Sequence, residues 1–175
     1  MFVTLIVIVF IAIGALIAYA ATRPGTMHVE RSASIKALPQ KIFPLLNDFH
    51  RWGAWSPYEK LDPAMTRTYG GADSGKGAIY EWKGNNKAGE GRMEITDALP
   101  PSRVTIKLDF LRPFEGHNVT RFTLAPQGDS TLVTWAMDGP SPFMAKLMGI
   151  FINMDTMLGK DFEAGLANLK AIVEE

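Results

Sequence analysis

A chain of 175 residues with 18 basic and 18 acidic side chains and no cysteine has room for one compact domain plus a small extra element. Its neutrality, without any basic run interleaved with aromatics, argues against a nucleic-acid partner. The missing cysteine excludes disulfides, thiolate catalysis and thiolate metal sites, and it leaves the compartment open.

The extra element comes first, as residues 1–21. Phe2 to Ala21 carries no charge, and about 20 helical residues at ~1.5 Å each cover roughly 30 Å, the thickness of a bilayer core. A retained single-pass membrane helix is expected. The alternative is a cleaved signal peptide, because Ala18-Tyr19-Ala20 has the small-x-small form of a cleavage site. Against cleavage, no Lys or Arg precedes the run. A buried core helix fits poorly, since apolar residues cover every face. Arg23, Arg31 and Lys36 follow the span, so the positive-inside rule favours a cytoplasmic domain, with the periplasmic or extracellular side left open.

Residues 22–26, with Arg23-Pro24-Gly25, read as a linker, and 27–175 as the folded domain. Met27 to Lys36 alternates as a strand with Val29, Ala33 and Ile35 on one face. Pro39 opens a short helix through Ile42, Phe43, Leu45 and Leu46, which Pro44 should bend or shorten. Asn47 to Pro57 is a short helical or irregular piece. Further strands are predicted at 65–69, 77–83, 91–98, 104–110, 118–125 and 131–137, separated by turns of Gly, Asn, Pro and Ser. Such short connections imply antiparallel neighbours. From Pro140 onward the pattern becomes helical: Met144, Leu147, Met148, Phe151, Leu158, Phe162, Leu166 and Leu169 make one apolar stripe, which predicts a single long helix.

The elements are a strand, two short helices, six strands and a long closing helix. In that order they resemble the START-like polyketide cyclase superfamily (SRPBCC). The residues that carry the resemblance are Ala37-Leu38-Pro39 leading into Ile42-Phe43, Asn47-Asp48-Phe49, Trp52-Gly53-Ala54-Trp55-Ser56-Pro57, and Lys160-Asp161-Phe162-Glu163 with Gly165, Leu166 and Leu169. It covers about Met27 to the end. The resemblance implies an α+β helix-grip fold, in which a curved antiparallel sheet of about seven strands wraps a long C-terminal helix. It also implies an internal cavity. Function is left open, because the superfamily includes lipid and hormone binders, cyclases, and chaperone-activator modules. An N-terminal span departs from most members and argues against a freely diffusing cyclase.

Alternation puts Tyr80 and Trp82 on one face, as it does Met93 with Ile95, Val104 with Ile106, Leu108 and Phe110, and Val133 with Trp135 and Met137. Facing inward, these rings and thioethers would suit an apolar small molecule; equally, they could simply fill a core. Trp52 and Trp55, in the irregular segment near the expected mouth, and Phe151 and Leu158 on the closing helix complete the expected ligand-binding set. Two charges interrupt the apolar faces. Arg31 shares parity with Val29, and Asp155 projects into the middle of the stripe, so an inward Arg31–Asp155 pair is one of two readings. The alternative is a helix break near Gly149, leaving Asp155 in an exposed first turn.

Other motifs carry less chemistry. Gly70 to Lys76 matches G-x-x-x-x-G-K, but Gly77 and a strand follow where Ser or Thr and a helix are needed, so it reads as a glycine hairpin. His28, His50 and His117 lack a second ligand at metal spacing, and His117 falls on the outer face. His50 beside Asp48 is either an acid/base pair or a surface histidine. No catalytic residue, cofactor or metal is assigned. The expected activity is a membrane-tethered binding or transport module for a lipid, isoprenoid or polyketide-like molecule. The alternatives are a cyclase/aromatase or hydratase with Tyr80, Arg31 or Asp155 moving protons, and a protein-interaction module with a filled core and an unknown partner.

Overall fold

The computed structural model describes residues 2–151 and 153–175, so Met1 and Ile152, which fall inside two of the expected segments, lie outside the described residues. Helix α1 (Phe2–Thr22) carries no charge, and from Thr4 onward it is almost wholly uncovered. It is long and apolar enough to cross a membrane, a property that a signal sequence shares.

Three residues later β1 (Thr26–Ile35) begins, followed by α2 (Pro39–Leu46) and two 3₁₀ turns at Phe49–Ala54 and Pro57–Lys60. Six strands come next: β2 (Thr66–Gly71), β3 (Ala78–Lys83), β4 (Glu90–Leu99), β5 (Arg103–Arg112), β6 (Gly116–Gln127) and β7 (Ser130–Pro140). They form one open antiparallel sheet of seven strands in the order β1-β7-β6-β5-β4-β3-β2. This is an α+β architecture consistent with the helix-grip fold. Each strand forms because its large side chains alternate: in β3, Ala78, Tyr80 and Trp82 are buried while Glu81 and Lys83 are exposed. β4 to β7 run one to three residues beyond their expected ends, while β1 stops one residue short at Ile35, and β2 and β3 each start one residue late. The Gly70–Lys76 motif is the β2–β3 turn; Gly71 has φ +69°, and a side chain there would run into the Gly77 carbonyl.

The long closing helix is present, but it is shorter than the apolar stripe that begins after Pro140. Helix α3 (Phe143–Met148) ends at Gly149, and α4 (Met154–Glu174) starts afresh behind an Asn153 cap whose side chain accepts the Thr156 N–H at 3.0 Å. Only α4 carries the core face, through Phe162, Leu166, Leu169 and Val173. It packs along β1 and reaches β7, α2 and the Pro57–Lys60 turn, while α3 lies beside α1.

The register defines two ends of the sheet. Thr26, Pro140, Gly116, Phe110, Glu90, Lys83 and Thr66 mark the end from which α1 departs. Ile35, Thr131, Arg103, Leu99, Ala78 and Gly71 mark the other.

Candidate functional site

Two groups of aromatic side chains occupy the inner face. The first is a closed cluster. Trp135 on β7 stacks flat on Phe162 of α4, with centroids 4.2 Å apart and planes 5° apart, and it meets Trp55 and Phe122 at 5.6 and 4.9 Å. Trp52 adds its ring to Trp55 at 4.9 Å. Each indole N–H is used: Trp52 donates to the Leu46 carbonyl, Trp55 to Leu45, and Trp135 to the Thr120 hydroxyl at 3.0 Å. Thr120 passes its own proton to the Ala136 carbonyl. Rings in mutual contact with satisfied N–H groups are a core, which corrects the placement of Trp55 at a mouth; it is fully buried. The reason is local. The 3₁₀ turn Phe49–Ala54 has no period-2 or 3.6 pattern that would reveal which way its rings point.

The second group lines β3 to β5. Trp82 lies across β4 where Gly91 leaves room, since a Cβ there would strike the indole, and Trp82 donates to the Ala88 carbonyl at 2.9 Å. Phe110 meets it edge-on at 5.8 Å. Tyr80 stacks behind Trp82 at 6.1 Å, and its hydroxyl donates to Glu59 at 2.5 Å. Arg67 donates to the other Glu59 oxygen at 2.6 Å. Burial first, and the Glu59 carboxylate second, push the Tyr80 phenol far above its ordinary range, so it stays protonated.

Burial along this wall is graded. On β4, Ile95 is fully buried and Met93 is 8 % exposed; on β5, Ile106 is fully buried, Leu108 is 9 % exposed and Phe110 is half-buried. Asn118 on β6 repeats the trend beside Phe122, and half-buried Leu158 faces the same end from α4. Burial along β4, β5 and β6 therefore lessens toward the end from which α1 departs, although Met93, Leu108 and Asn118 are still buried.

Of the expected site residues, Tyr80, Trp82, Met93, Phe110, Met137 and Leu158 lie on inner faces, and Trp52, Trp55 and Trp135 are core. Phe151 does not belong. It is 74 % exposed in the connection between α3 and α4, because the helix carrying it has already ended. Asp155 is not in the middle of a buried stripe either: it stands exposed in the first turn of α4, as the helix-break alternative has it. Yet it does meet Arg31, at 3.0 Å, on the outside of the β1–α4 seam.

Asn118 and the Glu59–Arg67 pair are not among the residues expected from sequence. Asn118 shares parity with Phe122 and Leu124, so alternation alone puts it inward. Glu59 sits in an aperiodic turn and gives no such signal.

At the opposite end a small open cavity of about 220 Å³ is lined by Phe49, His50, Tyr69 and the Gly70–Asp73 turn, and holds none of the expected residues. His50 stacks on Tyr69 at 4.2 Å and donates to Asp48 at 2.9 Å. Burial raises the Asp48 carboxyl, and hydrogen bonds from His50 and Arg51 more than offset it, leaving it below the usual range. Asp48 also accepts the His50 backbone N–H, so the pair caps the 3₁₀ turn. Among the described residues no cluster of three or more His, Asp or Glu could hold a metal ion.

An open seven-stranded sheet around one closing helix, with an aromatic inner face, has the form of a small-molecule-binding domain. The chain belongs to the polyketide cyclase / dehydrase and lipid transport family, whose model matches residues 26–174. No curated protein matches the sequence. Among solved structures, the di-domain ARO/CYC BexL from the BE-7585A biosynthetic pathway superposes with a TM-score of 0.64 at 13% identity. That match covers 91% of this chain and 53% of BexL, so the chain spans about half of that protein. Major latex-like protein 151 from Panax ginseng gives 0.62 at 14% identity, over 86% of this chain and 99% of that one. The Aha1 dimer from Colwellia psychrerythraea gives 0.56 at 18% identity, over 85% and 96%. At these identities the likeness is one of fold alone.

Proposed function

We propose that the domain binds an apolar small molecule, lipid-like or polyketide-like, against Trp82, Met93, Leu108 and Phe110, and takes it from a membrane in which α1 is embedded. The observation that supports this reading is the graded burial along β4, β5 and β6, which lessens toward α1 rather than away from it. Asn118 stands at the same end as the polar group available to a ligand's head. Arg31 and Asp155 saturate each other outside the sheet, and the Tyr80 proton is committed to Glu59, so binding is favoured over proton-transfer chemistry.

Native mass spectrometry of the full chain, released from its own cells in lipid discs, tests this. A stoichiometric apolar adduct is expected, and Phe110→Asp should remove it while the thermal melt stays cooperative. A wild-type chain without adduct, or an unchanged load in the variant, overturns the proposal. Turnover of a polyketide-like substrate that Tyr80→Phe abolishes would instead favour the cyclase alternative. Intact mass of the same sample tests the tether separately, because a mature chain beginning at Ala21 removes it.

A further inference from the structure

Large apolar side chains are left in the open at both ends of the sheet, Leu38 and Leu99 at the far end, but the exposed phenylalanines gather at the end that carries α1. Outside α1, the exposed phenylalanines among the described residues are Phe114, Phe143 and Phe151, and all three lie at this end. Phe114 is 71 % exposed at the tip of the β5–β6 hairpin, with Leu111 beside it. Helix α3 adds Met144 and Met148. Isolated surface apolars are ordinary, but several large ones grouped at one end mark an interaction face.

What covers this face follows from the chain path. Only Arg23, Pro24 and Gly25 separate α1 from β1, so the first residue of β1 lies within about 14 Å of the last of α1. The linker is also pinned, since the Gly25 carbonyl accepts the Ser141 N–H at 2.8 Å just after β7. At the foot of α1, Arg23 sits over the Tyr19 ring at 5.2 Å, an aromatic and a cation at the level where a span leaves the hydrocarbon. Helix α3 packs beside α1 and so shares that level. Charges at this end are mixed: Arg112 is open on the hairpin, but Glu115 and Glu90 are near it, so apolar burial rather than charge must supply the contact.

We infer that this end is a membrane-docking face: Phe114 and Leu111 on the hairpin, with Phe143, Met144 and Met148 on α3, sit in the headgroup–acyl boundary of the bilayer that holds α1. The inference rests on α1 spanning that bilayer, as proposed above. Docked this way, the less buried end of the inner wall at Phe110 meets lipid directly, and an apolar ligand crosses no water on its way in.

The absence of cysteine makes the test clean, because each introduced cysteine is the only thiol in the chain. Spin labels at Phe114→Cys and Met144→Cys, at Asp129→Cys on the far end, and at Ile8→Cys within α1 are placed in the full chain. The protein is reconstituted in phosphatidylcholine–phosphatidylglycerol vesicles. Labels at 114 and 144 should collide more often with oxygen than with a water-soluble nickel complex, and the order should reverse at 129. Aqueous readings at 114 and 144 with a bilayer reading at 8 overturn the docking face and leave the tether standing. An aqueous reading at 8 overturns both. Labels at 114 and 144 shielded from both reagents, in vesicles and in detergent alike, mean that protein covers the face, which also overturns the inference.

Discussion

Arg31 on β1 grips Asp155 in the first turn of α4 through two hydrogen bonds of 3.0 and 3.1 Å, and its Nε donates to Glu163 at 2.8 Å. Asp155, Gly159 and Glu163 are four apart and so share one helix face. At Gly159 the missing side chain leaves the gap in which the guanidinium lies. The Arg31 hydrogen bonds, opposed by some desolvation, hold the Asp155 carboxyl below the usual range. Its share of stability is therefore present above the unfolded carboxylate value and lost as pH falls through the lower folded value, below about 4. Both partners are open to water, so the pair orients the start of α4 more than it stabilises the fold.

Gly159→Ala should reveal that contact. In an exposed helix interior this change stabilises by about 1 kcal/mol, but here the new Cβ displaces the Arg31 guanidinium. The gain should appear in an Arg31→Met background and vanish in the native one. Denaturant unfolding of the four proteins of this cycle measures it, and full additivity would show that Arg31 does not occupy the gap.

The Trp135 cluster should behave as core. Phe162→Ala and Trp55→Ala are each expected to cost about 3–5 kcal/mol, because neither neighbouring ring can collapse into the space left. Urea titrations followed by circular dichroism read this directly. A loss under about 1 kcal/mol at Trp55 would return that ring to a pocket lining.

The strands were legible because alternation in a half-buried sheet leaves a period-2 trace that turns punctuate, as in Ile79–Lys83. The break between α3 and α4 was legible only as an alternative, through Gly149 and the Asp155 carboxylate in an otherwise apolar stripe. Met144, Leu147, Met148 and Phe151 keep helical spacing with Leu158 and Phe162, and spacing is the same whether a face meets the core, a neighbouring helix or nothing. The Arg31–Asp155 contact was found by parity, but parity carries no depth, and the pair lies on the surface rather than inside. Trp82, Met93 and Phe110 were placed on the correct face; the gradient of burial along them is a property of the assembled sheet that no single strand encodes.

Glu59 holds Tyr80 and Arg67 together, and its loss should be felt through the tyrosine. Glu59→Ala leaves the Tyr80 hydroxyl without its acceptor at 3 % residual exposure, a cost of about 1–3 kcal/mol. Adding Tyr80→Phe should recover much of that, since the stranded hydroxyl is then gone. Equal stability of the single and double variants would show that the hydroxyl finds another partner.

His117 and Asp109 form a pH-sensitive pair on the outer face of β5 and β6. His117 donates to Asp109 at 2.7 Å, and this bond holds the imidazole above its ordinary value. On the partner, burial raises the Asp109 carboxyl and the bonds from His117 and Lys107 more than reverse it. The raised histidine stabilises fully below the ordinary value near about 6.5, and the contribution fades as pH rises through the folded value. A proton NMR titration should place the His117 midpoint above that of exposed model histidine, and Asp109→Asn should bring it down. A midpoint unmoved by Asp109→Asn would dissolve the pair.

The sheet never closes, and its terminal strand β2 is only six residues long. An unpaired strand edge is a template on which a second chain can add itself, and its danger grows with length and flatness. Here the template offers a stranger little to copy. Gly70 and Gly71 end it in a turn, and Arg67, its second residue, is pulled back onto the Glu59 carboxylate and carbonyl. Crowding many copies together should therefore not zip their sheets into one another along β2, and loosening the Arg67 clamp is the change most apt to make that edge sticky.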